Sequence, residues 1–140
     1  MTVDRSDLTL PEADRRELIG WTTDCVRRLL PIFKSAAPSD TRLLEALEGA
    51  GAFARQELSV GPMRKFAFGC HAAAREVDDS AAEAVARACG QAVAVAHMAG
   101  HSREVARYTR KALGADARSE LDWQRANVPA RFTTYVYSDA

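Results

Sequence analysis

An alanine-rich segment constrains what this chain can fold into more than any other feature. Twenty-seven of its 140 residues are alanine, and they are concentrated between residues 72 and 99. Alanine has the highest intrinsic helix propensity, and its small side chain lets helix axes approach closely. We therefore predict an all-α fold. Residues 70–101, which enclose this region, hold all three histidines and two of the three cysteines, the side chains best suited to chemistry near neutral pH.

Capping and breaking residues predict two helices in the first part of the chain. Residues 9–12 (Thr-Leu-Pro-Glu) have the spacing of a capping box, with proline in the first turn. Pro31 lacks a backbone donor, so we expect it to kink or end this first helix. Ser39 or Asp40 is a suitable cap for a second helix that reaches about Leu58.

Four more helices are predicted in the rest of the chain. Residues 59–62 (Ser-Val-Gly-Pro) open the third, and Asp79 or Ser80 caps the fourth. A fourth helix continued to Leu113 would be a rod of roughly 50 Å, too long for a domain of this size. We therefore expect a break near Gly100, a fifth helix at about 102–113 and a sixth at about 117–127.

Apolar residues with a helical period predict the buried face of each helix. The third and fourth helices, which are richest in small residues, are predicted to form the closest pair. Tyr108 and Trp123 are expected in the core. The other predicted inner residues are Leu18, Trp21, Cys25, Leu29, Ile32, Leu43, Leu47, Ala50, Ala54, Met63, Phe66, Ala67, Cys70, Ala74, Ala81, Val85, Ala88, Ala92, Val95 and Ala99.

The predicted architecture is one domain over residues 1–140, a compact bundle or stacked array of five to seven helices. Residues 1–9 and 130–140 are expected to be terminal tails. Residues 132–137 (Phe-Thr-Thr-Tyr-Val-Tyr) are β-prone, but no second strand is evident for them to pair with. We therefore predict a short irregular tail that packs across the bundle.

Composition excludes several classes of function. The chain has 19 basic and 19 acidic side chains, which argues against nucleic acid or an anionic membrane as a partner of the whole domain. It has no basic-then-apolar leader and no apolar run approaching 18 residues, so we expect neither secretion nor a membrane span. Three widely separated cysteines favour reduced thiols and a cytoplasmic location.

The histidines and cysteines do not form a recognisable catalytic or metal motif. His97 and His101 have the i, i+4 spacing of two metal ligands on one helix, but a site needs a third ligand, for which His71 is a candidate. Cys70 and His71 point about 100° apart on a helix and cannot form a dyad. A dyad of Cys70 or Cys89 with His97 across two helices is geometrically conceivable. We predict no catalytic residue, no bound metal and no cofactor.

A basic helix face and two tyrosines are candidates for contact with a protein partner. Segregated charge on a neutral protein steers a partner of complementary charge, and amphipathic aromatic residues serve as anchors. The predicted partner-binding residues are Arg103, Arg107, Arg110, Lys111, Tyr135 and Tyr137.

Short motifs in a fixed order carry a family resemblance over roughly residues 10–130. They are 21–25 (Trp-Thr-Thr-Asp-Cys), 29–33 (Leu-Leu-Pro-Ile-Phe), 38–40 (Pro-Ser-Asp), 53–57 (Phe-Ala-Arg-Gln-Glu), 70–75 (Cys-His-Ala-Ala-Ala-Arg), 88–93 (Ala-Cys-Gly-Gln-Ala-Val) and 96–101 (Ala-His-Met-Ala-Gly-His). In their order and spacing the chain resembles the small all-α, immunity-five-like proteins of bacterial polymorphic toxin systems. It departs from them at residues 41–43, where an Arg-Pro dipeptide is expected, and at Gln91, where histidine is common.

The resemblance implies a non-enzymatic, cytoplasmic protein that neutralises a cognate toxin by direct contact, and it supplies no catalytic residues. Two alternatives stay open. One is a helical protein that binds a metal or small ligand through His71, His97 and His101. The other is a homo-oligomeric assembly module, such as a homodimer, whose β-prone tail pairs or swaps between protomers.

Overall fold

The computed structural model describes residues 3–138, and over this range the chain is helical and contains no β-strand. The all-α prediction is therefore confirmed. The α-helices are α1 (Glu12–Ala36), α2 (Arg42–Ala54), α3 (Val60–Glu76), α4 (Ser80–Ala94), α5 (Val105–Leu113), α6 (Ala117–Asn127) and the single turn α7 (Thr133–Val136). Short 3-10 helices span Ala99–Glu104, Gly114–Asp116 and Ala130–Phe132.

Helix α4 lies at the centre of the molecule, with α1, α3 and α5 packed around it. Its residues are small or apolar nearly all round, and a helix of that composition is stable only when it is buried. Its first turn is capped as predicted, because Asp79 Oδ2 accepts a hydrogen bond of 2.8 Å from the Ala82 N–H. The pair α3 and α4 has the most extensive contact of any two helices in the described range. The predicted closest pair is thus confirmed.

Helix α1 begins differently from its prediction and continues past Pro31. The capping box does not form: Pro11 occupies the N-cap position, and no side chain caps the helix. The Thr9 and Leu10 N–H groups instead donate to Asp7 Oδ1, each at 3.1 Å, which closes a turn just before the helix. Pro31 does not end α1, which continues to Ala36. Because proline has no N–H, α1 lacks one intrahelical hydrogen bond at this point, but the helix does not end there.

Helix α2 ends four residues before the predicted end at Leu58. Gln56 adopts a left-handed conformation (φ 65°), and its N–H donates to the Phe53 carbonyl at 3.0 Å. The Glu57 N–H donates to the Ala52 carbonyl at 2.8 Å, which completes a Schellman motif. The cap position is usually glycine, so a glutamine there left no sign of the helix end in the sequence.

The predicted break after α4 is present. The chain turns at residues 95–98 and enters the 3-10 helix Ala99–Glu104. Segment 3–11 crosses this point, and the Leu8 carbonyl accepts a hydrogen bond of 2.9 Å from the Gly100 N–H. Helix α6 has the predicted bounds of 117 and 127.

The C-terminal segment packs across the bundle as predicted, but it is locally helical and not extended. Phe132 and Tyr135 are fully buried, and Val136 is nearly so. Tertiary packing has therefore overridden the β-propensity of this segment. Residues 139 and 140, the end of the predicted tail, lie outside the described residues, as do residues 1 and 2.

One hydrophobic core joins most of the predicted inner residues. Sixteen of the twenty are buried. Half-buried at the edge of the core are Ile32, Ala54, Phe66 and Ala81, together with Tyr108 and Trp123. Among residues 3–138, no helix combines the length and the apolar character that crossing a membrane requires.

Candidate functional site

All three histidines of the chain line one surface groove of about 480 Å³. His71 comes from α3, His97 from the turn that follows α4, and His101 from the 3-10 helix Ala99–Glu104. The other lining residues are Arg64, Ala67, Phe68, Ala94 and Met98. The groove therefore lies along the closely packed edge of α3 and α4, at the point where α4 ends.

The end of α4 determines how His97 and His101 meet. Because α4 stops at Ala94 and Met98 is extended (φ −152°, ψ 113°), the two histidines do not share a helix face. The i, i+4 spacing is therefore not what brings them together. Instead, the chain reverses direction and returns as a 3-10 helix, so that both rings face the groove.

His71 is held by an arginine on one side and a glycine on the other. Arg87 Nη1 lies 2.9 Å from His71 Nδ1. Because a guanidinium only donates hydrogen bonds, Nδ1 accepts, and the neutral ring carries its proton on Nε2. The Nε2 edge faces Gly90, where a Cβ atom would lie only 2.5 Å away. Burial and the charge of Arg87 lower the pKa of His71, which favours this neutral form.

His101 is oriented by Gln91 on α4. Its Nδ1 lies 2.7 Å from Gln91 Oε1. An amide oxygen only accepts, so Nδ1 donates, and Nε2 of the neutral ring carries a lone pair. Burial lowers the pKa of His101, and the nearby Glu104 opposes this shift. Gln91 thus selects one tautomer of the ring.

His97 lies in the most cationic part of the groove. Burial lowers its pKa, and the positive charges of Arg64 on α3 and Arg15 on α1 lower it further. The Nε atom of Arg15 is buried and has no hydrogen-bond partner in the described part of the chain. At neutral pH the groove therefore combines neutral imidazoles with fixed arginine charges.

The geometry of the groove is not that of a metal centre. Within residues 3–138, no group of three His, Cys, Asp or Glu side chains is close enough to hold one metal ion. The Nδ1 atoms of His71 and His101 are also engaged with Arg87 and Gln91. Although His71, His97 and His101 share a groove, they do not converge on one point.

The cysteines are poor nucleophiles in this structure. Cys25, Cys70 and Cys89 are all buried free thiols. Burial raises the pKa of Cys25. A hydrogen bond with Cys70, together with burial, raises the pKa of Cys89 well above its usual value. Since the thiolate is the reactive form, Cys89 is held in its unreactive state, and Cys70 is buried beside it.

Two of the six predicted partner-binding residues, Arg103 and Tyr135, connect the N-terminal segment 3–11 with the C-terminal segment 130–138. Tyr135 is fully buried, and its hydroxyl donates to the Asp7 carbonyl at 2.8 Å. Arg103 lies over the Tyr135 ring at 4.4 Å, and its Nε donates to the Tyr135 carbonyl at 2.9 Å. Neither side chain belongs to an open surface, because each is committed to contacts within the chain.

The other four are nearer the surface. Arg107, Arg110 and Lys111 are exposed on α5. Tyr137 is half-buried, with its ring edge-on to Trp21 at 6.2 Å, and it lines a shallow depression with Arg110.

A second depression, of about 310 Å³, lies between α4 and α5. Lys111 and Tyr108 line it together with Arg87, the residue that also donates to His71. The basic face of α5 and the histidine groove therefore adjoin at the Arg87 side chain. Nothing in the sequence links the basic face of α5 with the histidines.

Sequence reasoning also missed the exposed apolar rim of the groove. Phe68 is 65% exposed and Met98 is 40% exposed. Phe68 falls outside the predicted inner face of α3, so a large apolar side chain at that register was the available signal. No signal pointed to Met98, since its exposure depends on where α4 ends.

These features define a small all-helical protein with a surface groove that has an apolar rim and is bordered by arginines. The sequence model of the family described as "Imm-5 like putative immunity protein" matches residues 8–131. The chain belongs to this family, which confirms the resemblance seen in the motifs. Neither a curated protein nor a solved structure gives a significant match.

Proposed function

We propose that this protein is an immunity protein that binds a cognate bacterial toxin in the cytoplasm and neutralises it by direct contact, without catalysing a reaction. The observation that carries the proposal is the family match over residues 8–131. The surface is consistent with it, because a partner would meet an apolar-rimmed groove beside a cationic helix face. Such surfaces combine anchoring contacts with electrostatic steering.

The basic face of α5 has the properties of a steering surface. Arg107, Arg110 and Lys111 are exposed, and exposed charges raise association rates more than they lengthen the lifetime of a complex. Tyr137, half-buried beside this face, offers a polar hydroxyl on an apolar ring. We assign these four residues to the encounter with the toxin. Arg103 and Tyr135 are left out because of their internal contacts.

Co-expression with the neighbouring gene tests the function directly. The toxin domain encoded by the adjacent reading frame is expressed in a sensitive host, with and without the full chain. We expect growth to be rescued, and we expect the two purified proteins to elute as one complex in size-exclusion chromatography with mass detection. Failure of rescue together with separate elution would reject the proposal. The same mass measurement on the chain alone reports whether it forms a homodimer.

A second candidate is binding of a metal or small ligand. Three histidines line the same groove, which favours a ligand there, although in the described residues they do not converge on one point as the ligands of a metal site do. Elemental analysis of the purified full chain and thermal unfolding with and without chelator test this candidate. A bound metal in stoichiometric amount, or a lower melting temperature in chelator, would support it. Absence of both would reject a resident metal.

A further inference from the structure

The rim of the histidine groove is open to a partner. Within residues 3–138, three large hydrophobic side chains are exposed: Phe68, Met98 and Leu8. The first two line the groove, whereas Leu8 does not. Apolar side chains exposed beside a concave surface are typical of sites that another molecule covers.

The charges around the groove are mostly positive. His71 faces Arg75 on its own helix and Arg87 on α4. His97 faces Arg64 on α3 and Arg15 on α1.

The rings of His71 and His97 also face His101. Glu104 is the one carboxylate of the described residues whose charge raises the pKa of a groove histidine. The groove is therefore complementary to a negative charge and not to a positive one.

We propose that the histidine groove receives an acidic segment of the toxin, with a carboxylate beside His97 and Arg64 and an apolar side chain between Phe68 and Met98. The inference rests on the proposed function, and it names the contact surface and the chemistry of the partner. Arg15, whose charge also lowers the pKa of His97, is paired with Glu12 through Nη2 at 3.9 Å, so Arg64 is the groove-lining cation next to His97 on which the proposal depends.

The uptake of protons on binding distinguishes a carboxylate from a neutral ligand in this groove. The imidazoles are held neutral by burial and by neighbouring arginines. A carboxylate placed beside them favours the protonated rings. Formation of the complex therefore takes up protons, and affinity increases as the pH falls from 7.5 to 6.5.

Substitutions at the exposed rim test the location of the contact. The affinity of the full chain for the toxin domain of the adjacent reading frame, purified as an inactive variant, is measured by calorimetry. We expect Phe68→Glu and Met98→Glu each to weaken binding by tenfold or more, as expected for apolar contacts at the centre of an interface. Both side chains are exposed in the free protein, so circular dichroism and melting temperature should stay close to the wild type.

Ala36→Glu is the matched control, because it adds the same charge at an exposed apolar residue that does not line the groove and lies near Asp79, at the opposite end of α4. We expect its affinity to stay within about twofold of the wild type. Wild-type affinity in both rim variants, or an equal loss in Ala36→Glu, overturns the groove as the contact surface and leaves the immunity function intact. A wild-type chain that neither binds nor rescues overturns both.

Calorimetry at pH 6.5 in two buffers of different ionisation enthalpy tests the carboxylate. We expect net proton uptake on binding for the wild type and a smaller uptake for His97→Gln, whose side chain cannot be protonated. Uptake that is zero in the wild type, or unchanged in His97→Gln, overturns the acidic chemistry.

Discussion

At the residue scale, the contact between Gly90 and His71 determines how closely α3 and α4 approach. The ring of His71 occupies the space that any side chain at position 90 would need, with its Nε2 2.5 Å from the position of a Cβ atom. On the opposite side, Arg87 fixes the ring through Nδ1. The orientation of one groove histidine therefore depends on the absence of a side chain on the facing helix.

Gly90→Ala should destabilise the protein although alanine favours helices. The added methyl group has to displace the His71 ring and break its bond to Arg87, and such overpacking typically costs about 1–3 kcal/mol. Gly20→Ala is the matched control, because a Cβ atom there has no neighbour within 4 Å. It should stabilise α1 by up to about 1 kcal/mol. Urea denaturation measures both changes.

The same substitution in a His71→Ala background separates the steric effect from a general weakening of α4. With the ring removed, the alanine at position 90 has room, so the cost should disappear and the substitution should be neutral or, as at Gly20, stabilising by up to about 1 kcal/mol. Equal costs in both backgrounds would contradict the contact between Gly90 and His71 as the cause.

The sequence indicated the three histidines of the groove but not its arginine, its apolar rim or how these side chains meet. The histidines stood out by type, and the break near Gly100 was predicted from the length of the helix that it interrupts. The shared groove depends on the reversal after Ala94, which the carbonyl of Leu8 stabilises from a distant part of the chain. A contact of that kind has no local signature in sequence.

At the scale of elements, the N-terminal segment 3–11 and the C-terminal segment 130–138 are joined by hydrogen bonds beside the 3-10 helix Ala99–Glu104. Arg103 donates to the carbonyls of Arg5 (2.7 Å) and Tyr135 (2.9 Å), and Arg5 also donates to the Tyr135 carbonyl. The hydroxyl of Tyr135 donates to Asp7. The N-terminal and C-terminal segments are thus integral to the fold of this region, where the sequence predicted tails.

Deletion of residues 131–140 should strongly destabilise the protein. It removes Phe132 and Tyr135, two of the largest fully buried side chains, each of which contributes roughly 1.5–3 kcal/mol by burial. We expect a melting temperature lower by 10 °C or more, or failure to fold. Tyr135→Phe is the milder comparison: it removes only the bond to Asp7, at about 0.5–1.5 kcal/mol. A truncated chain that melts like the wild type would show that α7 is dispensable.

The start of α4 was predicted because a side chain makes its cap, whereas the end of α2 was missed because the backbone makes it. Asp79 caps α4 with its carboxylate, and aspartate is one of the residue types preferred at this position. Gln56 ends α2 through a left-handed backbone that glutamine rarely adopts, so only the tertiary structure reveals it. Segment 130–136 is helical because Phe132 and Tyr135 reach the core in that conformation.

At the scale of the whole molecule, buried ionisable groups limit the pH range of stability from both sides. On the alkaline side, burial raises the pKa of Tyr137 to about 12 and also raises that of Cys25. The folded state therefore holds protons that the unfolded chain releases above pH 9 to 10, so stability decreases as the pH rises through that range.

On the acidic side, the three histidines have pKa values below the 6.5 of an unfolded chain. Below about pH 6.5 the unfolded chain binds protons that the folded protein does not, so stability decreases as the pH falls. Each such proton changes the free energy of unfolding by at most about 1.4 kcal/mol per pH unit. Asp40 and Glu76, whose pKa values are lowered by hydrogen bonds from Arg42, affect stability only at lower pH, near 4.

Urea denaturation of the wild type should therefore give a lower free energy of unfolding at pH 5.5 than at pH 7.5. A variant with His71, His97 and His101 all changed to glutamine has no histidine left, so its stability should be nearly the same at the two pH values, even if its absolute stability is lower. The difference between the two pH values, and not the stability itself, is the relevant measurement. An equal loss in both proteins would mean that other groups cause the acid sensitivity, because no imidazole would remain to bind the protons.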